Sequence, residues 1–113
     1  MAKHGFPQGT LEMMIMKVIS SGSHHGWGIA QKIHLLSNEA LKVEEGSLYP
    51  TLSRMQRQGL IEGKMAPSEN NRQAKFYKLT PLGKLQLEEE SKKWESMADA
   101  IARVMSASPE SQF

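Results

Sequence analysis

Apolar residues recur along the chain with two periods, one helical and one of strand type, and the switches between them mark out its elements. From Gly9 to Ser21 they stand at Leu11, Met14, Ile15, Val18 and Ile19. That i, i+3, i+4, i+7, i+8 spacing predicts an amphipathic helix with one buried face. Thr10 is placed to cap its start, and Gly22 to close its end. A short polar link, residues 23–26, leads to a second helical pattern carrying Trp27, Ile29, Ile33 and Leu36. After a polar stretch the pattern resumes at Leu48, Leu52 and Met55, again on one helical face. Ser47 reads as the N-cap of this third helix, with Pro50 in its first turn and Gly59 ending it.

The period then changes. Ile61, Gly63 and Met65 alternate with Glu62 and Lys64, which predicts a short strand. Phe76 to Thr80 predicts a second, and the eight residues 66–73 between them, a polar loop, predict a hairpin with a long tip. Thr80-Pro81 is the strongest helix start in the chain, a capping threonine before a proline at the first helical position. The pattern continues to about Ser106, and Pro109 is expected to end it. Such a helix is about 39 Å long, too long to lie across so small a domain. Glu88–Lys92, Glu89–Lys93 and Asp99–Arg103 are i, i+4 pairs that support its outer face. Leu87, Trp94 and Ile101, with Met97 and Val104, repeat every seven residues and form a seam that requires a partner.

The predicted architecture is mostly α with a small β-hairpin: a winged helix-turn-helix over residues 1–80, a C-terminal dimerisation helix over 81–106 and a tail over 107–113. In such a fold the third helix enters the major groove and the hairpin loop, the wing, reaches the DNA backbone. The charge distribution fits. Residues 47–80 carry six basic side chains against two acidic ones, a balance of +4, whereas residues 81–113 carry four against six, −2. Tyr49, Thr51, Ser53, Arg54 and Arg57 lie off the Leu48–Leu52–Met55 line and are the candidate groove contacts. Asn71, Arg72 and Lys75 are the candidate backbone contacts of the wing. The competing reading of Tyr49 is a core tyrosine, and of the wing cations ordinary loop charges.

Other chemistry is largely excluded. With no cysteine among 113 residues there are no disulfides, thiolate metal sites or thiol nucleophiles. His24, His25 and His34 lack completing ligands and read as solvated, so neither a metal nor a cofactor is expected. Met13, Met14 and Met16 read as core of the first helix. No nucleophile–base arrangement is visible, so the chain is not read as an enzyme. No apolar run reaches membrane-spanning length, and residues 1–8 do not read as a signal peptide, so a soluble cytoplasmic protein is expected.

The sequence also resembles the PadR-like transcriptional regulators, in particular the short subfamily. The matching residues are Gly9-Thr10-Leu11, Gly26-Trp27-Gly28-Ile29, Gly46-Ser47-Leu48-Tyr49-Pro50-Thr51-Leu52, Gly59-Leu60-Ile61, Arg72, the run from Lys75 to Thr80, and Gly83. The likeness runs from about Gly9 to Met105. It implies a homodimer whose final helix crosses onto its mate, and repression relieved by a small molecule or stress. It further implies that Tyr49, Arg72 and Lys75 touch double-stranded DNA. Trp94 matches the position at which some short members hold flat aromatic compounds between paired tryptophans, and Met97 would flank such an effector. Two residues depart from the family pattern: Trp27 stands where tyrosine is frequent, and Lys64-Met65 where tryptophan is frequent. The alternative function is a winged-helix module that assembles protein partners without binding DNA.

Overall fold

The computed structural model describes Phe6, Pro7 and residues 9–108. Helix α1 spans Thr10–Ile19, strand β1 His24–His25, α2 Gly26–Leu36 and α3 Glu45–Arg57. Then follow β2 Ile61–Pro67, β3 Gln73–Leu79 and α4 Pro81–Met105. The order of a winged helix-turn-helix is thus observed, with one strand more than the hairpin alone. β1 pairs antiparallel with β3, His24 opposite Tyr77 and His25 opposite Phe76. β3 therefore lies in the middle of a three-stranded sheet. The link around His24-His25 is thus a strand, and two residues were too few to show a period of two.

The α1 stripe is buried as its spacing predicts, through Leu11, Ile15, Val18 and Ile19, with Met16 beside them and Met14 only half-buried. Thr10 does not cap. Gly9 holds the N-cap position with φ 84°, and the Thr10 hydroxyl donates to the Pro7 carbonyl. The core continues through Ile29, Ala30 and Ile33 of α2 and through Leu48, Leu52 and Met55 of α3. Ile61, Tyr77 and Leu79 close it from the sheet. Trp27 and Leu36, placed in the core stripe by the sequence, are exposed instead.

Helix α3 begins two residues before the expected cap. Glu44 is its extended N-cap, and its carbonyl accepts from the amides of Ser47 and Leu48. Ser47 is consequently the third helical residue, and Pro50 lies in the second turn, where it leaves the solvent-facing Gly46 carbonyl without a helical donor. At the other end the Gly59 amide donates to Gln56 and the Leu60 amide to Met55, with Gly59 at φ 81°. This Schellman motif requires a left-handed residue, which glycine supplies without strain. The strands are longer than predicted: β2 and β3 pair from Ile61–Leu79 to Pro67–Gln73, leaving five tip residues instead of eight. Pro67 is tolerated because β2 is an edge strand.

Helix α4 starts where predicted. The Thr80 hydroxyl accepts from the Gly83 amide and donates to the Gly59 carbonyl. Gly83 is buried against the α3 terminus, and a Cβ built there would lie 2.1 Å from the Leu60 carbonyl oxygen. The three predicted i, i+4 pairs are not those that form; Glu90 instead meets Lys93 at 3.8 Å and accepts from Gln86. The helix ends at Met105 with Ser106 as C-cap. Pro109 and the rest of the predicted tail beyond Ser108 lie outside the described residues.

Two outcomes follow from these contacts. Gly83→Ala gains helix propensity but forces the Leu60 backbone away, so it should lose about 1–3 kcal/mol in urea unfolding. Gly46→Ala meets nothing within 4 Å and should instead gain about 0.5–1 kcal/mol. Equal effects of the two would refute the packing account. The second outcome concerns His24, whose pKa lies below the usual 6.5 because of burial first, then of nearby Lys32 and His25. The unfolded chain takes up this proton more readily than the folded one. Stability present above about pH 6.5 is therefore lost as pH falls from there through the folded-state value. Thermal melts should show that decline, and His24→Gln should flatten it.

Candidate nucleic-acid interface

Helix α3 turns Leu48, Leu52 and Met55 inward and exposes Tyr49, Ser53 and Arg57 at i, i+4 and i+8 along its outer face. Glu45 begins the same row, near the helix N-terminus, where a carboxylate suits the dipole. Thr51, one of the candidate groove contacts, departs from expectation: it is 7% exposed. Its position explains this, because residues 48, 51, 52 and 55 follow i, i+3, i+4, i+7 and share one face. The side chain's polarity had outweighed its place in the period.

Tyr49 is 42% exposed and lies with one ring edge over the backbone of Gly26, at the start of α2. A Cβ at Gly26 would lie 2.8 Å from the ring. The glycine therefore lets the two helices of the motif approach while the tyrosine stays at the surface. Burial first, and the Glu45 carboxylate second, raise the Tyr49 pKa, so the hydroxyl is neutral near pH 7, able both to donate and to accept. The Tyr77 hydroxyl is raised too, by burial and then by Tyr49.

Arg54 is not free. Its Nη2 donates to Oε2 of Glu12 on α1 at 2.5 Å, with 43% and 26% of the two side chains exposed. A pair separated by 42 positions left no trace in the sequence pattern. The two side chains line a concavity of about 430 Å³ together with Pro7, Gly9, Ser47 and Pro50.

The wing is joined to α3 at its base. Lys75 and Gln56 both lie over Gly63, whose missing side chain leaves room for them. The Lys75 ammonium sits 5.8 Å from the centre of the Tyr77 ring, a cation–π contact. At the tip, the Asn71 amide donates to Ser68 and the Ser68 amide to Arg72, with Asn71 at φ 62°. Asn71 thus has a conformational role in the turn, since asparagine tolerates the left-handed region. Asn71 and Arg72 are both exposed.

His25 and His34 are structural and not simply solvated. The Nδ1 of His25 accepts from the Gly28 amide at 3.0 Å and so caps α2, while its ring meets Phe76 edge-on. His34 pairs with the Leu41 carbonyl. Among the described residues no group of three His, Asp or Glu is placed to hold a metal ion, and no helix is long and apolar enough to cross a membrane. On α4, Trp94, Met97, Ile101 and Val104 are exposed, whereas Leu87 is half-buried against its own protomer's core. Leu87 therefore packs within the chain, the helix having begun close against α1 and β3. Trp94 and Met97 line a groove of about 270 Å³ with Pro7, Gly9, Thr10 and Met13.

A family model for the PadR-like transcriptional regulators matches residues 15–89. The fold is similar to that of a PadR-like transcriptional regulator of Bacillus cereus, with a TM-score of 0.77 and 32% identity over 89% of this chain and 96% of that one. It is also similar to a PadR-like transcription factor of Bacteroides fragilis, with a TM-score of 0.68 and 30% identity, covering 85% of this chain and 90% of that one. A transcriptional regulator of Mycobacterium tuberculosis is 28% identical over 96 residues, 85% of this chain and 86% of that protein. With two-thirds of its length matched by the family model, and with the helix order and wing of a winged helix-turn-helix, the chain belongs to the PadR-like family of transcriptional regulators.

Proposed function

We propose that this chain is a cytoplasmic, dimeric, sequence-specific DNA-binding repressor, released from its operator by a planar small molecule. Residues 1–80 form the DNA-binding unit and 81–106 the dimerisation helix, with 107–113 a tail. The observation that carries the reading is the continuity of α3 and wing. Gln56 of α3 and Lys75 of the wing both lie over Gly63, which brings the helix that exposes Tyr49, Ser53 and Arg57 next to a wing cation. Tyr49, Ser53, Arg54 and Arg57 contact the groove; Asn71, Arg72 and Lys75 contact the backbone. Thr51 is excluded by its burial.

The dimer follows from α4. Its distal half exposes Trp94, Met97, Ile101 and Val104, a face that one protomer does not cover. Pairing through this face sets two recognition helices about 34 Å apart, one turn of DNA. The groove beside Trp94 and Met97 reaches the first turn of α1, so a flat ring stacked on the indole touches dimer helix and DNA-binding unit together. Tenfold release from DNA needs about 1.4 kcal/mol of differential binding.

Fluorescence anisotropy with a mixed-sequence duplex and with one selected from a random pool tests DNA recognition. Arg72→Ala and Lys75→Ala should weaken both complexes, each flattening the salt slope by about 0.9. Tyr49→Ala, Ser53→Ala and Arg57→Ala should act mainly on the selected duplex, by about 1–3 kcal/mol where a base contact is lost. Unchanged affinity in all five leaves the protein-assembly module as the better reading.

The dimer and effector are tested separately. Removing the residues after Lys93 should give a poorly folded monomer in ultracentrifugation. In a Trp27→Tyr background, a planar cationic dye should quench the remaining tryptophan, and Trp94→Ala should abolish dye binding while the protein stays dimeric. Dye binding retained in that variant removes Trp94 from the site.

A further inference from the structure

Helix α3 carries two arginines with different settings, and the difference has a consequence for how DNA is read. Arg57 is exposed at the end of the outer row, whereas Arg54 gives one guanidinium nitrogen to Glu12 of α1. We propose that Glu12 is a positioning residue for DNA specificity: it cancels the charge of Arg54 and fixes its guanidinium, turning a general phosphate binder into a reader of base edges. This deepens the proposed function and rests on its assignment of α3 to the groove.

Three observations support it. The contact is between Nη2 and Oε2 alone, and a guanidinium has five N–H donors in a planar fork, so most of its donors remain for a ligand. The pair is neither buried nor fully solvated, with 43% of the Arg54 side chain and 26% of the Glu12 side chain exposed. Both side chains line the concavity that opens between the α1 start and the α3 residues Gly46, Ser47 and Pro50. The half-exposed Arg54 side chain borders that concavity, while its counter-charge is anchored in a separate, well-packed helix.

The physical distinction is between charge and direction. Non-specific affinity depends on net cations meeting phosphates, and a neutralised arginine adds nothing to it. Specific affinity depends on donors aimed at base acceptors, and an arginine held in place by a carboxylate is better aimed than a free one. Glu12 thus lowers attraction to random DNA and raises discrimination at once. Bare phosphate repulsion from Glu12 would lower both kinds of complex equally, and it would do so whatever residue stood at 54.

Salt titrations of the full-length protein against the mixed-sequence duplex and the selected duplex decide the matter. Glu12→Gln should steepen the salt slope on mixed-sequence DNA by about 0.9, so its gain in affinity is about 3.5 times larger at 50 mM than at 200 mM salt. The ratio of selected to mixed-sequence affinity should fall at least about fivefold. Arg54→Gln should lower that ratio without raising mixed-sequence affinity, and adding Glu12→Gln to it should then change neither slope nor ratio. Arg54→Lys keeps the ion pair but loses the fork, so it should cost site preference and leave the slope alone. Glu12→Asp, which keeps the charge, should hold the wild-type slope. Equal effects of Glu12→Gln with and without Arg54 overturn the proposal, as does a slope change shared by Glu12→Asp. Wild-type protein that binds neither duplex defeats the DNA reading itself. Wild-type protein that binds and is weakened by Arg57→Ala, with Glu12→Gln silent, defeats this inference alone.

Discussion

The arrangement depends on a missing side chain at position 83. Four segments meet there: the Schellman end of α3, the start of β2, the end of β3 and the first turn of α4. The Leu60 carbonyl accepts from the Thr80 amide, and Gly83 lies close against that same carbonyl. The Thr80 hydroxyl bonds to Gly59 on one side and caps α4 on the other. Each of these is an ordinary contact worth about 1 kcal/mol net, but together they fix the direction in which α4 leaves the domain. Since α4 carries the exposed apolar face, this node determines where the recognition surface stands relative to whatever covers that face.

The sequence was most readable where local chemistry and tertiary packing agree. Thr80-Pro81 predicted the α4 start because cap and proline act within four residues. The α1 stripe was readable because five apolar residues repeat at helical spacing. Elsewhere the pattern was misleading. Ser47 looks like a cap, yet Glu44 starts α3 because its own carbonyl already accepts two helical amides. Ala66, Pro67 and Ala74 have little strand propensity and are paired nonetheless, held by the ladder on either side. Thr51 was readable by position and misread by type. The Glu12–Arg54 pair was invisible, since nothing local links residues 42 apart.

Glycine explains much of the remaining geometry, through contact as much as through backbone freedom. Gly26 admits the Tyr49 ring, and Gly63 admits Lys75 and Gln56. Both sit between α3 and another element, so both set how far α3 stands from its surroundings. The first keeps an aromatic hydroxyl at the surface without burying it in the core. The second draws a wing cation toward the helix. A polar surface of this kind is therefore built from the backbone outward, with side chains of the right chemistry brought together by positions that have none.

The first turn of α1 links these features to the exposed apolar face of α4. Pro7 and Gly9 line both the concavity that holds Glu12 and Arg54 and the groove that holds Trp94 and Met97. Thr10 and Met13 wall the groove, and Glu12 lies between them on the same helix. A ligand seated beside Trp94 therefore presses on the turn that carries the counter-charge of Arg54. Coupling requires more than this proximity: the ligand must bind one arrangement of that turn better than another. Glu12 reaches Arg54 from that same helix, so the Trp94 groove and the Glu12–Arg54 pair share one element.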